Sequence, residues 1–317
     1  MATFRVGLSM AGAISAGAYT GGVFDFLIEA LDQWESEKRT LRDKRTPEKD
    51  WDIPSHDVVI PVMTGASAGG ITGALGIIAL AEKPPPGSVP KTYRYDQVGD
   101  VISRLPRLYN AWVKMPCFVS PSGASDLLGT EDTGEKGVAA VLDTTVLDKI
   151  VAASLVGIKE IGAPRPYIAQ SMHLFMTHTN MRGVPYEIEF KGGIVGQPGY
   201  PMTCHGDRVH YRVEGLGTAP VNSAWADPEQ ARPIQVGTLR GLVNVEGPWR
   251  DFAAVAVGSG AFPVGLRARE VTGVTVGDYL ARQWPVHRHN QGAQPGAALG
   301  QPLKFRRRRF MKRGDTK

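Results

Sequence analysis

Asp57-Val58-Val59-Ile60-Pro61-Val62-Met63-Thr64-Gly65-Ala66-Ser67-Ala68-Gly69-Gly70-Ile71-Thr72-Gly73-Ala74-Leu75 is the stretch on which the reading of this chain turns. Residues 57–63 are β-rich, and residues 71–80 are helix-like, with small side chains that let a helix pack closely on a sheet. Between them lies a Gly-x-Ser-x-Gly pattern. A serine hydroxyl is a poor nucleophile unless it is held exposed, beside a base, with N–H donors ready for the developing oxyanion. A tight strand-to-helix turn supplies the exposure and one donor. Glycines two before and two after the serine are needed because Cβ atoms there would collide across the turn. The expected elbow is therefore Gly65, Ala66, Ala68 and Gly69 around the nucleophile Ser67. In a chain with 38 glycines the pattern alone is weak, and a plain Gly/Ser turn competes with it. The flanking strand and helix favour the elbow. Pro61 removes a ladder donor, so the strand is expected to loosen or bulge there.

On the N-terminal side, residues 4–9 read as a first strand and 10–14 as a loop. Ser15 opens a long helix with Tyr19, Val23, Phe26, Leu27, Ala30 and Leu31 on one face. The charge-rich run 35–52 reads as an exposed connection. On the C-terminal side, the proline-rich run 83–90 marks a loop or the edge of an insertion. Residues 94–128 are amphipathic, with Leu105, Leu108, Tyr109, Trp112, Val113, Met115 and Phe118 clustered. They fit a helical insertion packed on the core, and also a lid or lipid-facing surface beside the site. A short helix pair is expected over 138–155, with Leu147 and Ile150 on its buried side. Strands 172–180 and 186–190 are separated by Met181-Arg182-Gly183-Val184-Pro185, which reads as a hairpin, and 210–213 fits another strand. A helix over 251–257 runs into Gly258-Ser259-Gly260-Ala261-Phe262-Pro263. Glycine, alanine, glutamine and proline dominate 291–301, where order is expected to fade.

Composition bounds the answer. With 317 residues, 42% hydrophobic and 21% charged, one large α/β domain or two modest ones can be built. The net charge of +5 belongs to a tail: residues 304–317 contribute +7, and subtracting them leaves −2 for the rest. That tail is expected to be a disordered charge run over 286–317, with contact to anionic headgroups as the sharper alternative and no specific nucleic-acid readout. The two cysteines, Cys117 and Cys204, have no metal-like spacing and point to a reducing compartment. No apolar run reaches membrane-span length, and glycines and serines punctuate the Ala/Gly-rich N-terminus, which fits strand and turn better than a signal peptide. The expected location is the cytoplasm, with peripheral membrane contact. No metal and no cofactor are expected.

Acyl transfer also needs an oxyanion hole, and the loop after the first strand, Met10-Ala11-Gly12-Ala13-Ile14-Ser15-Ala16-Gly17, offers one. Backbone N–H groups of Gly12, Ala13 and Ile14, at the positive end of the following helix, are the candidate donors. A phosphate or dinucleotide turn is the alternative, but no acidic ribose partner follows at a sensible distance.

At these residues the chain resembles the patatin-like phospholipases. Three ordered blocks carry the likeness: Gly17-Ala18-Tyr19-Thr20-Gly21-Gly22-Val23, Gly65-Ala66-Ser67-Ala68-Gly69-Gly70, and Gly258-Ser259-Gly260-Ala261-Phe262-Pro263. The resemblance implies a three-layer α/β/α patatin-like sheet with a nucleophile elbow over a domain spanning 1–285. It implies a lipid acyl hydrolase, acting on lipid or phospholipid esters through a Ser-Asp dyad without a catalytic histidine. Two departures stand out. The family's glycine-rich, basic oxyanion loop here reads Gly12-Ala13-Ile14-Ser15-Ala16-Gly17, without the positive side chain. No Asp-Gly dipeptide occurs, and the candidate base is Asp278, followed by Tyr279. The expectation is therefore a fold incomplete at its C-terminus and impaired in catalysis. Alternatives are a non-catalytic lipid-surface binder, or a Ser-Asp-His esterase using Ser67, Asp278 and His287 or His289.

Overall fold

A computed structural model of the chain describes residues 2–13, 16–83, 103–116, 127–130, 140–188, 200–220, 231–274 and 278–279. The order of elements is β1 (Thr3–Met10), α1 (Ala16–Asp43), β2 (Asp57–Ala66), α2 (Ala68–Ala81), α3 (Pro106–Tyr109), a π turn (Asn110–Lys114) and α4 (Thr145–Leu155). There follow β3 (Arg165–Ile188), β4 (Tyr200–Glu214), β5 (Gly217–Ala219), β6 (Arg232–Gln235) and α5 (Gly247–Gly260). The chain is thus a mixed α/β protein whose central sheet is mostly parallel and flanked by helices. Its strand order is β1-β2-β3-β4-β6, with β5 paired to β3.

Parallel register sets the ends of β1 and β2 level with each other, beside a point within β3. Met10 of β1 lies opposite Gly65 of β2, and Ala66 lies opposite Thr177 of β3. The carboxyl ends of neighbouring parallel strands are where open α/β sheets place their sites. The β1–β2 ladder shifts between Arg5↔Val59 and Gly7↔Val62, so β2 carries one extra residue across Pro61. The expected bulge is there, because proline has no N–H to give the ladder.

Helix α2 is apolar all round and buried along nearly its whole length, so it serves as a core element rather than a surface one. Helix α1 buries only part of the expected face, Leu31 with half-buried Leu27, and otherwise turns a different stripe inward. Gly17, Gly21, Phe24, Ile28, Leu31 and Lys38 point inward, while Tyr19, Val23 and Phe26 are exposed. The inward set follows helical spacing just as well. Its glycines let Trp112 lie against the helix, since a methyl on Gly17 would fall 2.2 Å from the indole.

The helix also runs on through 35–43, which the charge-rich composition had suggested was an exposed connection. Lys38 is fully buried there. Its ammonium donates to Glu35 at 2.6 Å, to Asp57 at 2.8 Å and to the His56 carbonyl at 3.1 Å, tying α1 to the start of β2. A buried ammonium is tolerated because all three protons have acceptors.

The described part of the insertion, 103–116, packs on the core through buried Leu105 and Leu108. Asp25 of α1 caps it by accepting the N–H groups of Arg104 and Leu105. Arg107 forks onto Glu82 at 2.7 and 2.8 Å and also donates to the Ala153, Ser154 and Val156 carbonyls at the end of α4. Within 140–155 there is one helix rather than a pair, with Ile150 buried and Leu147 half-buried against the core.

The chain divides into two compact units, Met1–His178 with Arg208–Thr272, and Thr179–Asp207 with Gly273–Lys317. In the second unit the expected hairpin at 181–185 is absent, and β3 continues through those residues to Ile188. The Asn180 side-chain oxygen accepts the N–H groups of Arg182 and Gly183, each at 3.1 Å. Gly183, at φ +70°, is needed for close strand approach, because a methyl there would lie 2.1 Å from Thr203 Cγ2. The turn-like composition therefore marks an irregular point in a strand, not its end. The basic tail over 286–317 lies outside the described residues.

Candidate active site

The strand-to-helix junction at Ser67 has the geometry that its glycines require. Ser67 sits between the end of β2 and the start of α2 with φ 54° and ψ −123°. Non-glycine residues avoid positive φ, and holding one there costs on the order of 1–3 kcal/mol. The surroundings enforce it. A methyl on Gly65 would lie 2.3 Å from the Gly69 carbonyl oxygen, and one on Gly69 would lie 2.1 Å from the Met10 carbonyl oxygen. Gly69 therefore lets α2 begin against the end of β1, and Gly65 lets the turn close on itself.

The first loop reaches the same point. A methyl on Gly12 would fall 2.5 Å from Ser67 Cβ and 3.2 Å from Ser67 Oγ. Gly12 thus abuts the serine side chain, and exposed Ala13 follows it toward the N-terminus of α1. A helix of 28 residues directs the positive end of its dipole at this loop. Ile14, the third expected donor, lies outside the described residues.

A third element, not anticipated from the sequence, closes the junction. The Ser67 N–H donates to Ser259 Oγ at 3.1 Å, and Ser259 Oγ donates to the Thr177 carbonyl at 2.8 Å. Ser259 belongs to the last turn of α5. Its approach depends on Gly70, where a methyl would lie 2.3 Å from Ser259 Oγ. The signal available in the sequence was the Gly258-Ser259-Gly260 block itself, whose serine carried no assigned role.

The structure therefore brings Ser67, Gly65, Ala66, Ala68, Gly69 and Gly12 together, with Ala13 the next residue after Gly12. Asp278 lies in the second unit, next to Tyr279, whose hydroxyl donates to Asp207 at 2.6 Å and accepts from Asn180 at 3.2 Å. Among the described residues no side chain hydrogen-bonds Ser67 Oγ. His287 and His289 lie outside the described residues. Asp143, Asp148 and Asp251 have structural partners. Asp143 accepts both the N–H and hydroxyl of Thr145, Asp148 is held by Arg269 at 2.9 Å, and Asp251 accepts from Thr272.

Three of the described histidines are held within the fold. The His178 ring is 2.8 Å from the Val255 carbonyl oxygen. His173 Nδ1 and His210 Nε2 are 2.7 Å apart in the sheet, with Phe175 stacked on His210 at 4.0 Å. Burial, reinforced by the Arg212 charge, holds the His173 pKa below the usual histidine value. The unfolded chain therefore takes up a proton near pH 6.5 that the folded chain refuses, and folding stability falls as pH drops through that range. The slope from this one group is at most about 1.4 kcal/mol per pH unit. Urea unfolding at pH 7.5 and 5.5 should show lower stability at the acid end, with a smaller difference in His173→Gln. An unchanged difference in that variant would refute the assignment.

The chain is 41% identical over 298 residues to an uncharacterized protein, y4iI, of Sinorhizobium fredii, a match covering 92% of this chain and 40% of that one. The chain thus spans about two fifths of that relative's length. No family model matches the chain, and no solved structure matches it. No described helix is long and apolar enough to cross a membrane.

Proposed function

We propose that Ser67 is the acyl-accepting nucleophile of a serine hydrolase acting on lipid esters. One observation carries the reading: a non-glycine residue held at positive φ on a strand-to-helix turn, with the Gly12 backbone against its side chain. Strain of that kind needs a reason, and presenting a hydroxyl to an incoming carbonyl is one. In this reading Ser67 Oγ attacks the ester carbonyl carbon as its proton passes to a carboxylate base. The tetrahedral oxyanion takes hydrogen bonds from backbone N–H groups of the Gly12–Ala13 loop and the start of α2. Collapse expels the alcohol, which takes up the proton, and water then hydrolyses the acyl-serine by the same route.

The lipid character rests on the patatin-like resemblance and on apolar groups exposed on α1 and just after α5. Tyr19 and Val23 stand exposed on the first turns of α1, and Phe262 and Val264 stand exposed just beyond Ser259. Exposed apolar side chains on the elements next in the chain to a hydrolytic site suit a substrate presented at a lipid surface.

A fluorophosphonate probe should label wild-type protein at Ser67 and leave Ser67→Ala unlabelled. Hydrolysis of p-nitrophenyl butyrate and of phosphatidylcholine vesicles should then be measured in parallel. Phe262→Asp with Val264→Asp is expected to cut vesicle hydrolysis about 10-fold while the soluble ester reacts at near the wild-type rate. Failure of the probe to label Ser67 would end the hydrolase reading. Equal loss on both substrates would remove the lipid-surface part of it.

A further inference from the structure

We infer that Ser259 is a positioning residue for Ser67, acting through the backbone rather than on the substrate. The inference rests on the reading of Ser67 as nucleophile and adds to it. The Ser259 hydroxyl has one proton, and the Thr177 carbonyl at 2.8 Å takes it. A lone pair therefore faces the Ser67 N–H at 3.1 Å, and the direction of both hydrogen bonds is set. With its proton committed to Thr177, Ser259 is placed neither to protonate a leaving group nor to donate to Ser67 Oγ.

Two consequences follow. First, the hydroxyl clasps three elements at one point. Thr177 lies opposite Ala66 in the ladder, Ser67 caps α2, and Ser259 closes α5. Gly70 and Gly260 make the approach possible, since methyl groups there would lie 2.3 Å from Ser259 Oγ and 2.6 Å from Ile71 Cδ1. A strained φ persists only where neighbours over-determine it, and here a hydrogen bond to the strained peptide itself is part of that determination. Without it, the Ser67 N–H loses its acceptor and the peptide is freer to rotate toward negative φ. The hydroxyl of Ser67 would then swing away from Gly12.

Second, the Ser67 N–H is excluded as an oxyanion donor because Ser259 already occupies it. The donors must come from elsewhere, and among the described residues the candidates include the amide of Ala68 and those of the Gly12–Ala13 loop. The hole is therefore assembled from both sides of the serine, with the serine's own amide serving as an anchor.

The test compares Ser259→Ala, Ser259→Cys and Ser259→Thr with wild type in the full chain. Cysteine keeps the shape but weakens both hydrogen bonds, and threonine keeps the hydroxyl. The readouts are the rate constant of fluorophosphonate labelling at Ser67, kcat and KM for p-nitrophenyl butyrate, and hydrogen exchange of the Ser67 amide. Ser259→Ala and Ser259→Cys should label about 10- to 100-fold more slowly, with kcat reduced in step, KM within about 2-fold and Ser67 amide exchange at least 10-fold faster. Ser259→Thr should recover most of the rate. A merely structural role would lower thermal stability without this split between kcat and KM. Labelling at the wild-type rate in folded Ser259→Ala and Ser259→Cys overturns the positioning role while leaving Ser67 as nucleophile. Absence of labelling in the wild type overturns the nucleophile reading and the positioning role with it.

Discussion

Replacing Ser67 by glycine is expected to stabilise the protein while removing its chemistry. Ser67 sits at φ 54° and ψ −123°, a region that glycine enters freely and other residues enter at a cost. Relief of on the order of 1–3 kcal/mol of strain is offset by about 0.5–1 kcal/mol, because glycine has more freedom in the unfolded chain. The net gain should be about 1 kcal/mol, or roughly 2 °C in Tm for a chain of this size. Ester hydrolysis, by contrast, should fall by about 10⁴-fold or more, to the level that binding and the oxyanion donors sustain alone. Opposite signs for stability and activity mark a residue whose conformation is kept for function. Calorimetry and a p-nitrophenyl ester assay on the same preparations decide it. A Ser67→Gly protein less stable than wild type would mean that the observed backbone carries no strain.

The second large effect is steric. In Gly69→Ala the new methyl would meet the Met10 carbonyl oxygen at 2.1 Å and the Ala11 carbonyl oxygen at 2.8 Å. Both obstacles are backbone, so no side chain can step aside. Either α2 moves away from β1 or the loop carrying Gly12 moves, and the site opens in both cases. A loss of about 3 kcal/mol is expected, at the upper end for overpacking because the backbone must shift. Labelling of Ser67 should fall with it. Urea denaturation should show the midpoint lowered at an unchanged m-value, and a midpoint within error of wild type would contradict the close contact. Helix propensity alone would have made alanine the better residue at position 69, so the sign of the result separates packing from propensity.

Comparison of particular elements shows where sequence reasoning reached and where it stopped. The elbow was legible because three independent signals coincide within 57–75: a β-branched run, two spaced glycines and a small-residue helix. Pro61 was legible for the same local reason, since a missing N–H disrupts any ladder that holds it. The buried face of α1 was not. Tyr19, Val23 and Phe26 form one helical stripe and Gly17, Gly21, Phe24, Ile28, Leu31 and Lys38 another, and periodicity cannot say which meets the core. The second stripe wins because glycines admit the Trp112 ring and Lys38 finds three acceptors contributed by Glu35, His56 and Asp57. The stretch 181–185 misled for a related reason. Glycine and proline there mark a crowded, irregular strand, and the crowding comes from Thr203, about twenty residues away.

Local chemistry by itself determined that a serine should stand on a glycine-flanked turn between a strand and a helix, because steric exclusion around Gly65 and Gly69 acts over a few bonds. Tertiary structure alone decided what meets that serine: Gly12 from one loop, and Ser259 from a helix 192 positions further along the chain. The register of the parallel strands brings those partners together, and it depends on packing across the whole sheet, which no short stretch of residues encodes.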